Sequence, residues 1–186
     1  MFSGLDFRLQ PGEAARVLGA NGAGKTTLLR TIAGLLRPLD GQIRWKVDND
    51  ERDIRESLCF IDHDNALNAS LTPLENLTLL TRIAGEPIES TMIDRVLVEL
   101  GLKRVRYRQC GRLSAGQKRR VTLARLWLTR ASLWLLDEPA AALDAESRAR
   151  LAARIDTHIA AGGLVLYTTH EPLPLASTTT IALPTC

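Results

Sequence analysis

An eight-residue segment between a short apolar run and a helical pattern constrains this chain most. Residues 19–26 read G-A-N-G-A-G-K-T and match G-x-x-x-x-G-K-[ST] in the strand–loop–helix context that this pattern requires. Glycines let backbone N–H groups approach phosphate oxygens, and the following helix N-terminus adds its dipole. Lys25 supplies a mobile positive charge, and the Thr26 hydroxyl suits Mg²⁺. The sequence therefore predicts a nucleoside triphosphate site formed by Gly19, Ala20, Asn21, Gly22, Ala23, Gly24, Lys25, Thr26 and Thr27.

Strand and helix patterns alternate along most of the chain. Apolar or alternating runs predict strands at 5–9, 14–18, 42–45, 58–61, 133–136, 163–168 and 179–183. Helical patterns cover 26–33, 73–83, 89–100, 115–128 and 145–160, and the polar stretch 47–56 predicts a loop. This alternation predicts an α/β fold with a mostly parallel sheet. We expect one domain over residues 1–186, with a helical subdomain at about 65–128 inserted into its core.

Length and composition exclude several classes of protein. The chain has 186 residues, 45% apolar and 24% charged, as in ordinary globular proteins rather than disordered or fibrous ones. No apolar run approaches the ~18–20 residues that span a bilayer, and residues 1–6 do not resemble a secretory signal. Three scattered cysteines (Cys59, Cys110 and Cys186) indicate a reducing compartment and argue against a cysteine metal site. The 4% aromatic content argues against a stacking platform for single-stranded nucleic acid.

Positive charge is concentrated in one segment. Residues 102–130 contain ten Lys or Arg and no Asp or Glu, whereas the rest of the chain contains 14 basic and 21 acidic residues. The pattern is equally consistent with two interpretations. The segment forms a solvated basic face, or it contacts an anionic partner such as phosphate, nucleic acid or lipid headgroups.

Two carboxylates, Asp137 and Glu138, directly follow the apolar run at 133–136. Ligands bind at the carboxyl ends of strands in open α/β sheets, so an acidic residue there can hold Mg²⁺ and its neighbour can polarise an attacking water as general base. A charged loop at the end of a strand is the simpler interpretation. Beside a phosphate loop, the metal and base roles are favoured.

A third motif begins the helical pattern at 115. Ser114 and Gln117 have the spacing of a capping box, and Gly116 allows close backbone approach at a helix N-terminus that attracts anions. Together with the two earlier motifs, the stretch resembles the L-S-G-G-Q signature of ATP-binding cassette (ABC) ATPases, with Ala115 in place of the first glycine. The stretch 142–144 resembles the family's D-loop, and 168–170 its switch histidine. The signature residues are Leu113, Ser114, Ala115, Gly116 and Gln117.

The resemblance implies a role for each matching residue. Glu138, His170 and Lys25 would be catalytic, Thr26 and Asp137 would hold Mg²⁺, and Asp144 would belong to the D-loop. The signature helix of one chain would close over the phosphate loop of a second copy, so that a dimer encloses two ATP molecules. Asp64 stands where the family has a glutamine, and we expect it to be a further metal ligand that slows hydrolysis. A permease would dock beside Asp64 and around residues 66–80.

A narrower resemblance rests on the stretches 71–77, 123–134 and 168–173, which look like the ATP-binding subunits of cytochrome c maturation systems. It implies an ATP- and Mg²⁺-dependent motor for haem handling, peripheral on the cytoplasmic face of the bacterial inner membrane. Its partners would be a second copy, an integral membrane permease and haem-handling maturation proteins, with no nucleic acid. The small antiparallel β part of the fold is expected to be truncated at its N-terminus.

The sequence leaves three alternative functions open. A soluble ABC ATPase acting on nucleic acid or ribosomes would use the basic segment at 102–130. An ABC ATPase could also serve another substrate. A small-molecule kinase with the same phosphate loop is disfavoured, because it has no use for the signature segment.

Overall fold

The main sheet consists of five parallel strands. In this computed structural model, which describes residues 2–47, 50–51, 53 and 57–184, the strands are β1 (Ala14–Leu18), β4 (Leu58–Ile61), β5 (Leu133–Leu136), β6 (Leu164–Thr168) and β7 (Thr179–Ala182). Their order is β4-β5-β6-β1-β7. A separate antiparallel pair joins β2 (Lys46–Val47) to β3 (Asp50–Glu51). Most of the predicted loop at 47–56, and Cys186, lie outside the described residues. Val47 and Asp50–Glu51 belong to the antiparallel pair, so the loop prediction is wrong at these positions.

Six helices accompany the strands in the part of the chain that the structure describes. They are α1 (Lys25–Ile32), α2 (Pro73–Ile83), α3 (Ser90–Glu99), α4 (Ala115–Leu123), α5 (Arg125–Leu128) and α6 (Ala145–Ala160), with a 3₁₀ turn at Cys110–Arg112. None of these helices is both long enough and apolar enough to cross a membrane. The α/β class with a parallel sheet, predicted from the sequence, is confirmed.

The chain divides into two compact units with separate cores. The first comprises residues 1–63, 131–139 and 155–186, and its core gathers β1, α1, β5 and β6 around side chains such as Val17, Leu29 and Leu166. The second comprises 64–130 and 140–154, and its core gathers α2, α3 and α4 around Leu77 and Leu97. All four residues of β5 are buried, as expected for a central strand covered on both faces.

Capping boxes fix the start of α2 and of α4. At α2, the Thr72 hydroxyl accepts from Glu75 N at 3.2 Å and the Glu75 carboxylate accepts from Thr72 N at 2.8 Å, with Pro73 at the first helical position. The bonds that the Thr72 amide and the Thr72 hydroxyl donate to the carboxylate, each at 2.8 Å, hold the pKa of Glu75 below its usual value. The reciprocal bonds satisfy backbone donors that the helix cannot satisfy itself.

Two of the strand predictions are wrong. Residues 5–9 form no strand, although Leu5 and Leu9 do pack against the core of the first unit, so the alternation reflected burial and not pairing. Residues 42–45 are also outside any strand, and the antiparallel pair begins at Lys46 instead. A strand needs a partner to receive its hydrogen bonds, and alternation in one segment carries no information about that partner.

The predicted helix at 115–128 is interrupted at Ala124. The Ala124 amide is shared between the Arg120 and Val121 carbonyl oxygens, at 3.0 and 3.2 Å, and Trp127 N bonds to Ala124 O at 3.0 Å. This tightening toward 3₁₀ geometry separates α4 from α5 while Ala124 keeps helical angles. The predicted strands β1, β4 and β5 and the helices α2 and α6 have the same bounds in the structure. The predictions for α1, α3, β6 and β7 agree to within one residue at each end.

Asn76 is a buried polar centre in the second unit, only 3% exposed. Its Nδ2 lies 3.1–3.3 Å from the carbonyl oxygens of Asn68, Leu71 and Thr72 and from Cys110 Sγ, and its Oδ1 accepts from Asn68 N at 2.8 Å. Burial raises the pKa of the Cys110 thiol, which keeps it protonated beside this amide. Asn76 therefore ties the segment before α2 to the 3₁₀ turn.

We expect Asn76→Asp to lower the free energy of unfolding by about 2–4 kcal/mol, because a buried oxygen replaces the donor that faces three carbonyl oxygens. Asn68→Asp is the matched control: it is exposed, and its side-chain oxygen accepts from Ser70 N at 2.9 Å. That acceptor survives, so the control should stay within about 0.5 kcal/mol of the wild type. Urea unfolding followed by circular dichroism measures both, and equal losses in the two variants would contradict the role of Asn76.

Candidate active site

The phosphate loop lies between the end of β1 and the start of α1. Gly24 precedes the helix with φ at 99°, a left-handed conformation that favours glycine, and caps α1 without a side chain. The first helical bond runs from Leu28 N to Gly24 O at 2.8 Å. The amides of Lys25, Thr26 and Thr27 precede that bond and have no acceptor inside the helix, which makes this turn suited to bind an anion.

Lys25 folds back over the loop that precedes it. Its Nζ donates to Gly19 O at 2.8 Å and to Ala20 O at 3.1 Å. The ammonium group thus lies at the loop and next to the helix N-terminus. The charge is placed to bind phosphate oxygens, which are stronger acceptors than the carbonyl oxygens it contacts here.

Asp137 is the polar centre of the first unit, and it is 2% exposed. Its two carboxylate oxygens accept from different threonines: Oδ2 from Thr26 Oγ1 at 2.7 Å and Oδ1 from Thr168 Oγ1 at 2.5 Å. The hydrogen bond from Thr26 to Asp137 therefore joins the phosphate loop to the acidic pair, 111 residues away in the chain. Thr168 lies in the stretch 168–170, but no role was predicted for its side chain, although a polar residue that ends a buried strand was an available signal.

Glu138 leaves the sheet in a left-handed backbone conformation, with φ at 46°. Its amide donates to Thr168 Oγ1 at 2.9 Å, and its Oε2 accepts from His170 N at 3.3 Å. His170 Nε2 lies 3.6 Å from Glu138 Oε1, and the imidazole is largely exposed whereas the Glu138 side chain is largely buried. The structure thus brings Lys25, Thr26, Asp137, Glu138 and His170 to the carboxyl edge of one parallel sheet.

A further link, which the sequence did not reveal, joins α1 to β4. Arg30 donates to Asp62 Oδ2 through Nε at 3.0 Å and through Nη2 at 2.9 Å, and Asp62 Oδ1 accepts from His63 N at 2.7 Å. Asp62 directly follows β4, so the helix behind the phosphate loop is tied to a neighbouring strand end.

Oxygen donors at this edge suit a magnesium ion. The Thr26 hydroxyl and the Asp137 carboxylate are hard ligands within hydrogen-bond distance of each other. The described residues contain no group of three or more His, Cys, Asp or Glu side chains that could hold a metal ion. Mg²⁺ in nucleotide sites uses one or two protein ligands together with phosphate oxygens, so the pair fits this ion. Asp64 is exposed in the structure, and its metal contact stays a prediction.

The signature residues lie in the second unit, where Ser114 caps α4. Ser114 Oγ accepts from Gln117 N at 3.2 Å, and Gln117 Oε1 accepts from Ser114 N at 3.0 Å, which is the capping box that the spacing predicts. A Cβ added at Gly116 would lie 2.7 Å from Ala142 O. Gly116 is therefore required by close contact with the segment that resembles the D-loop.

Asp144 caps the next helix, α6. Its Oδ1 accepts from Ser147 N at 2.8 Å, and the hydrogen bonds from Ser147 hold the pKa of Asp144 below its usual value. Ala142, two residues earlier, has a φ of 60°. In the segment 142–144, Ala142 thus lies against Gly116 and Asp144 caps α6.

Part of the basic segment at 102–130 is structural. Arg106 pairs with Asp94 at 2.8 Å, Arg119 is 3% exposed, and Arg120 Nη1 donates to Leu100 O at 3.2 Å. These three arginines serve the packing of the second unit. The exposed cations of the segment are Lys103, Arg104, Arg108, Arg112 and Arg130.

Comparison with known proteins identifies the family. The model of the ABC transporter family matches residues 2–141. The chain belongs to this family. It is 42% identical over 181 residues to a cytochrome c biogenesis ATP-binding export protein, CcmA, of Cupriavidus necator, covering 96% of this chain and 80% of that protein. It is 45% identical over 182 residues to a CcmA of Salmonella paratyphi A, covering 96% and 86%. Both resemblances drawn from the motifs are confirmed, and the chain is an ABC-type ATPase.

Solved structures of ABC proteins share the fold. The ATP-binding subunit of an ABC transporter aligns with a TM-score of 0.75 and 27% identity, over 88% of this chain and 71% of that one. The ATP-binding cassette MJ0796, solved as a dimer in a post-hydrolysis state bound to ADP and phosphate, aligns with a TM-score of 0.79 and 24% identity, over 91% and 80%.

We expect Gly116→Ala to lower the free energy of unfolding by about 1–3 kcal/mol, because the new methyl group must displace the Ala142 carbonyl. Ala115→Gly is the matched control: it exchanges the same two residue types at the exposed neighbouring position and should cost no more than about 1 kcal/mol through helix propensity. Thermal and urea unfolding of both variants measure the difference. An unchanged free energy of unfolding for Gly116→Ala would show that the segment around residue 142 moves away from the new methyl group without loss of stability.

Proposed function

We propose that this chain is the ATP-hydrolysing motor of a membrane export complex that serves cytochrome c biogenesis, with haem handling as the coupled task. It would act as a dimer with a second copy of itself, bound to an integral membrane permease and to haem-handling maturation proteins. Its place would be peripheral, on the cytoplasmic face of the bacterial inner membrane. ATP and Mg²⁺ would be its cofactors.

The bond between Thr26 and Asp137, at 2.7 Å, is the observation that carries this proposal. It joins the phosphate-binding turn to the acidic pair, so that one edge of the sheet offers amides, an ammonium group, hard oxygen ligands and a second carboxylate together. The residues that would hold Mg²⁺ are Thr26 and Asp137, with Asp64 as a further candidate, and the ion would supply charge stabilisation for the phosphate oxygens.

Glu138 is the residue we propose as general base. Its carboxylate is largely buried and accepts a hydrogen bond from His170 N, just beyond the end of β5. From there it can accept a proton from a water molecule that attacks the terminal phosphate. Lys25 would bind the transferred phosphoryl group through its ammonium, and His170 would sense it through its exposed imidazole.

The signature residues Ser114, Gly116 and Gln117 are proposed to act on the ATP bound by the second copy. The start of α4 offers helix N-terminal amides and a serine hydroxyl, which suit a phosphate group. Asp144 would complete the same interface from the D-loop. The dimeric state of the cassette MJ0796 supports this arrangement.

The permease is proposed to dock on the inserted helical subdomain, at about 65–128 and around residues 66–80. The outer face of α2 exposes Leu79 (44%) and Ile83 (73%), one helical turn apart. Exposed apolar side chains at this spacing suit a helix of a protein partner. The relatives from Cupriavidus necator and Salmonella paratyphi A are named as export proteins of cytochrome c biogenesis, which supports the choice of process.

We expect Glu138→Gln to bind ATP and to hydrolyse it at least ~100-fold more slowly, the usual scale for loss of a general base. The variant should also accumulate as a dimer with ATP, because the closed form can no longer reopen through hydrolysis. Single-turnover kinetics and size-exclusion chromatography with and without ATP measure the two effects. A variant that stays monomeric when saturated with ATP would contradict the dimer, and one that turns over normally would contradict the base.

A genetic experiment tests whether the chain serves cytochrome c biogenesis. Expressed in a bacterium that lacks its own CcmA, the chain should restore covalently haem-bound cytochrome c, measured by haem staining of periplasmic extracts. Lys25→Ala is the matched inactive control, since loss of its charge should weaken ATP binding by ~2–5 kcal/mol through unpaired phosphate oxygens. Restoration of cytochrome c by both the wild type and Lys25→Ala would contradict the proposed role in cytochrome c biogenesis. A wild-type chain that hydrolyses ATP but restores no cytochrome c would contradict it as well.

A further inference from the structure

We propose that Thr168 is a positioning residue for ATP hydrolysis: its single hydroxyl fixes both the carboxylate of Asp137 and the backbone of Glu138. The inference rests on the proposed ATPase reaction and adds a residue to it. None of the predicted site motifs assigned a role to this side chain.

The sheet register places Thr168 beside the acidic pair. Leu136 is paired with Tyr167 in the parallel ladder between β5 and β6, so the next residues, Asp137 and Thr168, are neighbours at the carboxyl edge. Thr168 is fully buried. A threonine at the end of a buried apolar strand must find partners for its hydroxyl, and here both partners belong to the proposed machinery.

Hydrogen-bond chemistry fixes the direction of the hydroxyl proton. The Glu138 amide can only donate, and it points to Thr168 Oγ1 at 2.9 Å. An ionised carboxylate can only accept, and Asp137 Oδ1 lies 2.5 Å from the same oxygen. The hydroxyl therefore accepts from Glu138 and donates to Asp137, and it has no second proton with which to reverse these roles.

Two consequences follow for the reacting groups. Thr26 holds one oxygen of Asp137 and Thr168 holds the other, so rotation of the carboxylate would break a hydrogen bond on either side. Glu138 occupies a left-handed backbone conformation, and the bond to Thr168 holds its amide just beyond the end of the ladder. Loss of the hydroxyl should thus misplace the metal ligand and the base together, while the phosphate loop stays intact.

The test compares Thr168→Val, which keeps the shape and removes the hydroxyl, with Thr168→Ser, which keeps the hydroxyl. Thr81→Val is the matched control, because Thr81 is also buried and its hydroxyl donates to the local Thr78 carbonyl oxygen, at 3.2 Å. The measurements are the affinity for a fluorescent ATP analogue in EDTA and in Mg²⁺, the Mg²⁺ concentration for half-maximal ATPase rate, and kcat and KM.

For Thr168→Val we expect an affinity for the ATP analogue in EDTA within about twofold of the wild type. The additional affinity gained in Mg²⁺ and the kcat should each fall at least tenfold. This is the scale expected for loss of a charge-assisted hydrogen bond. Thr168→Ser should recover both to within about threefold, and Thr81→Val should resemble the wild type. A purely structural role predicts lower thermal stability with unchanged Mg²⁺ dependence, and that result would overturn the proposal, as would equal behaviour of Thr168→Val and Thr81→Val.

Two further results need their own interpretation. If Thr168→Val fails to bind the analogue in EDTA, the smaller variant Thr168→Ala is tested instead, because it places no γ-methyl group against the carboxylate. The expected results are the same. If the wild type itself does not hydrolyse ATP, the proposed function fails. The positioning role is then decided by Mg²⁺-dependent analogue binding alone, where an unchanged Thr168→Val overturns it.

Discussion

All five strands of the main sheet run in the same direction, and this constraint places the chemistry of the first unit. The carboxyl ends of parallel strands lie at one edge, where ligands bind in open α/β sheets. The phosphate loop follows β1, Asp62 follows β4, the acidic pair follows β5 and Thr168 ends β6. Segments that are far apart in sequence therefore meet because of strand direction and register, and short-range contacts only refine their positions.

The polar groups at this edge form one connected set. Asp137 is buried where an unpaired carboxylate oxygen would be costly, and its two oxygens are satisfied by hydroxyls from α1 and β6. The hydroxyl from β6 also satisfies the Glu138 amide. Pairing of these buried groups specifies one geometry, which would hold the proposed metal ligand and the proposed general base, on consecutive residues, for different tasks.

Much of this arrangement could be predicted from the sequence, for identifiable reasons. The run at 133–136 is apolar throughout and ends in two acids, and α2 begins with a threonine, a proline and a glutamate at capping positions; both sets of bounds were predicted correctly. The strand at 5–9 was wrong because its pairing depends on residues elsewhere in the chain. The break at Ala124 arises from a shared backbone amide that no side chain signals. Thr168 stands out in the sequence as a polar residue at the end of a buried strand, but its partners depend on the register between β5 and β6, which no single segment encodes.

Glu138 lies in left-handed backbone, with φ at 46°, a conformation that costs a residue other than glycine about 1 kcal/mol or more. Glycine at this position would relieve that cost and at the same time remove the carboxylate. Selection for thermal stability and selection for turnover therefore act in opposite directions on a single codon. A lineage that no longer needs the motor would gain stability by losing its proposed base. An inactive descendant with glycine at this position would then have a higher free energy of unfolding than its active ancestor.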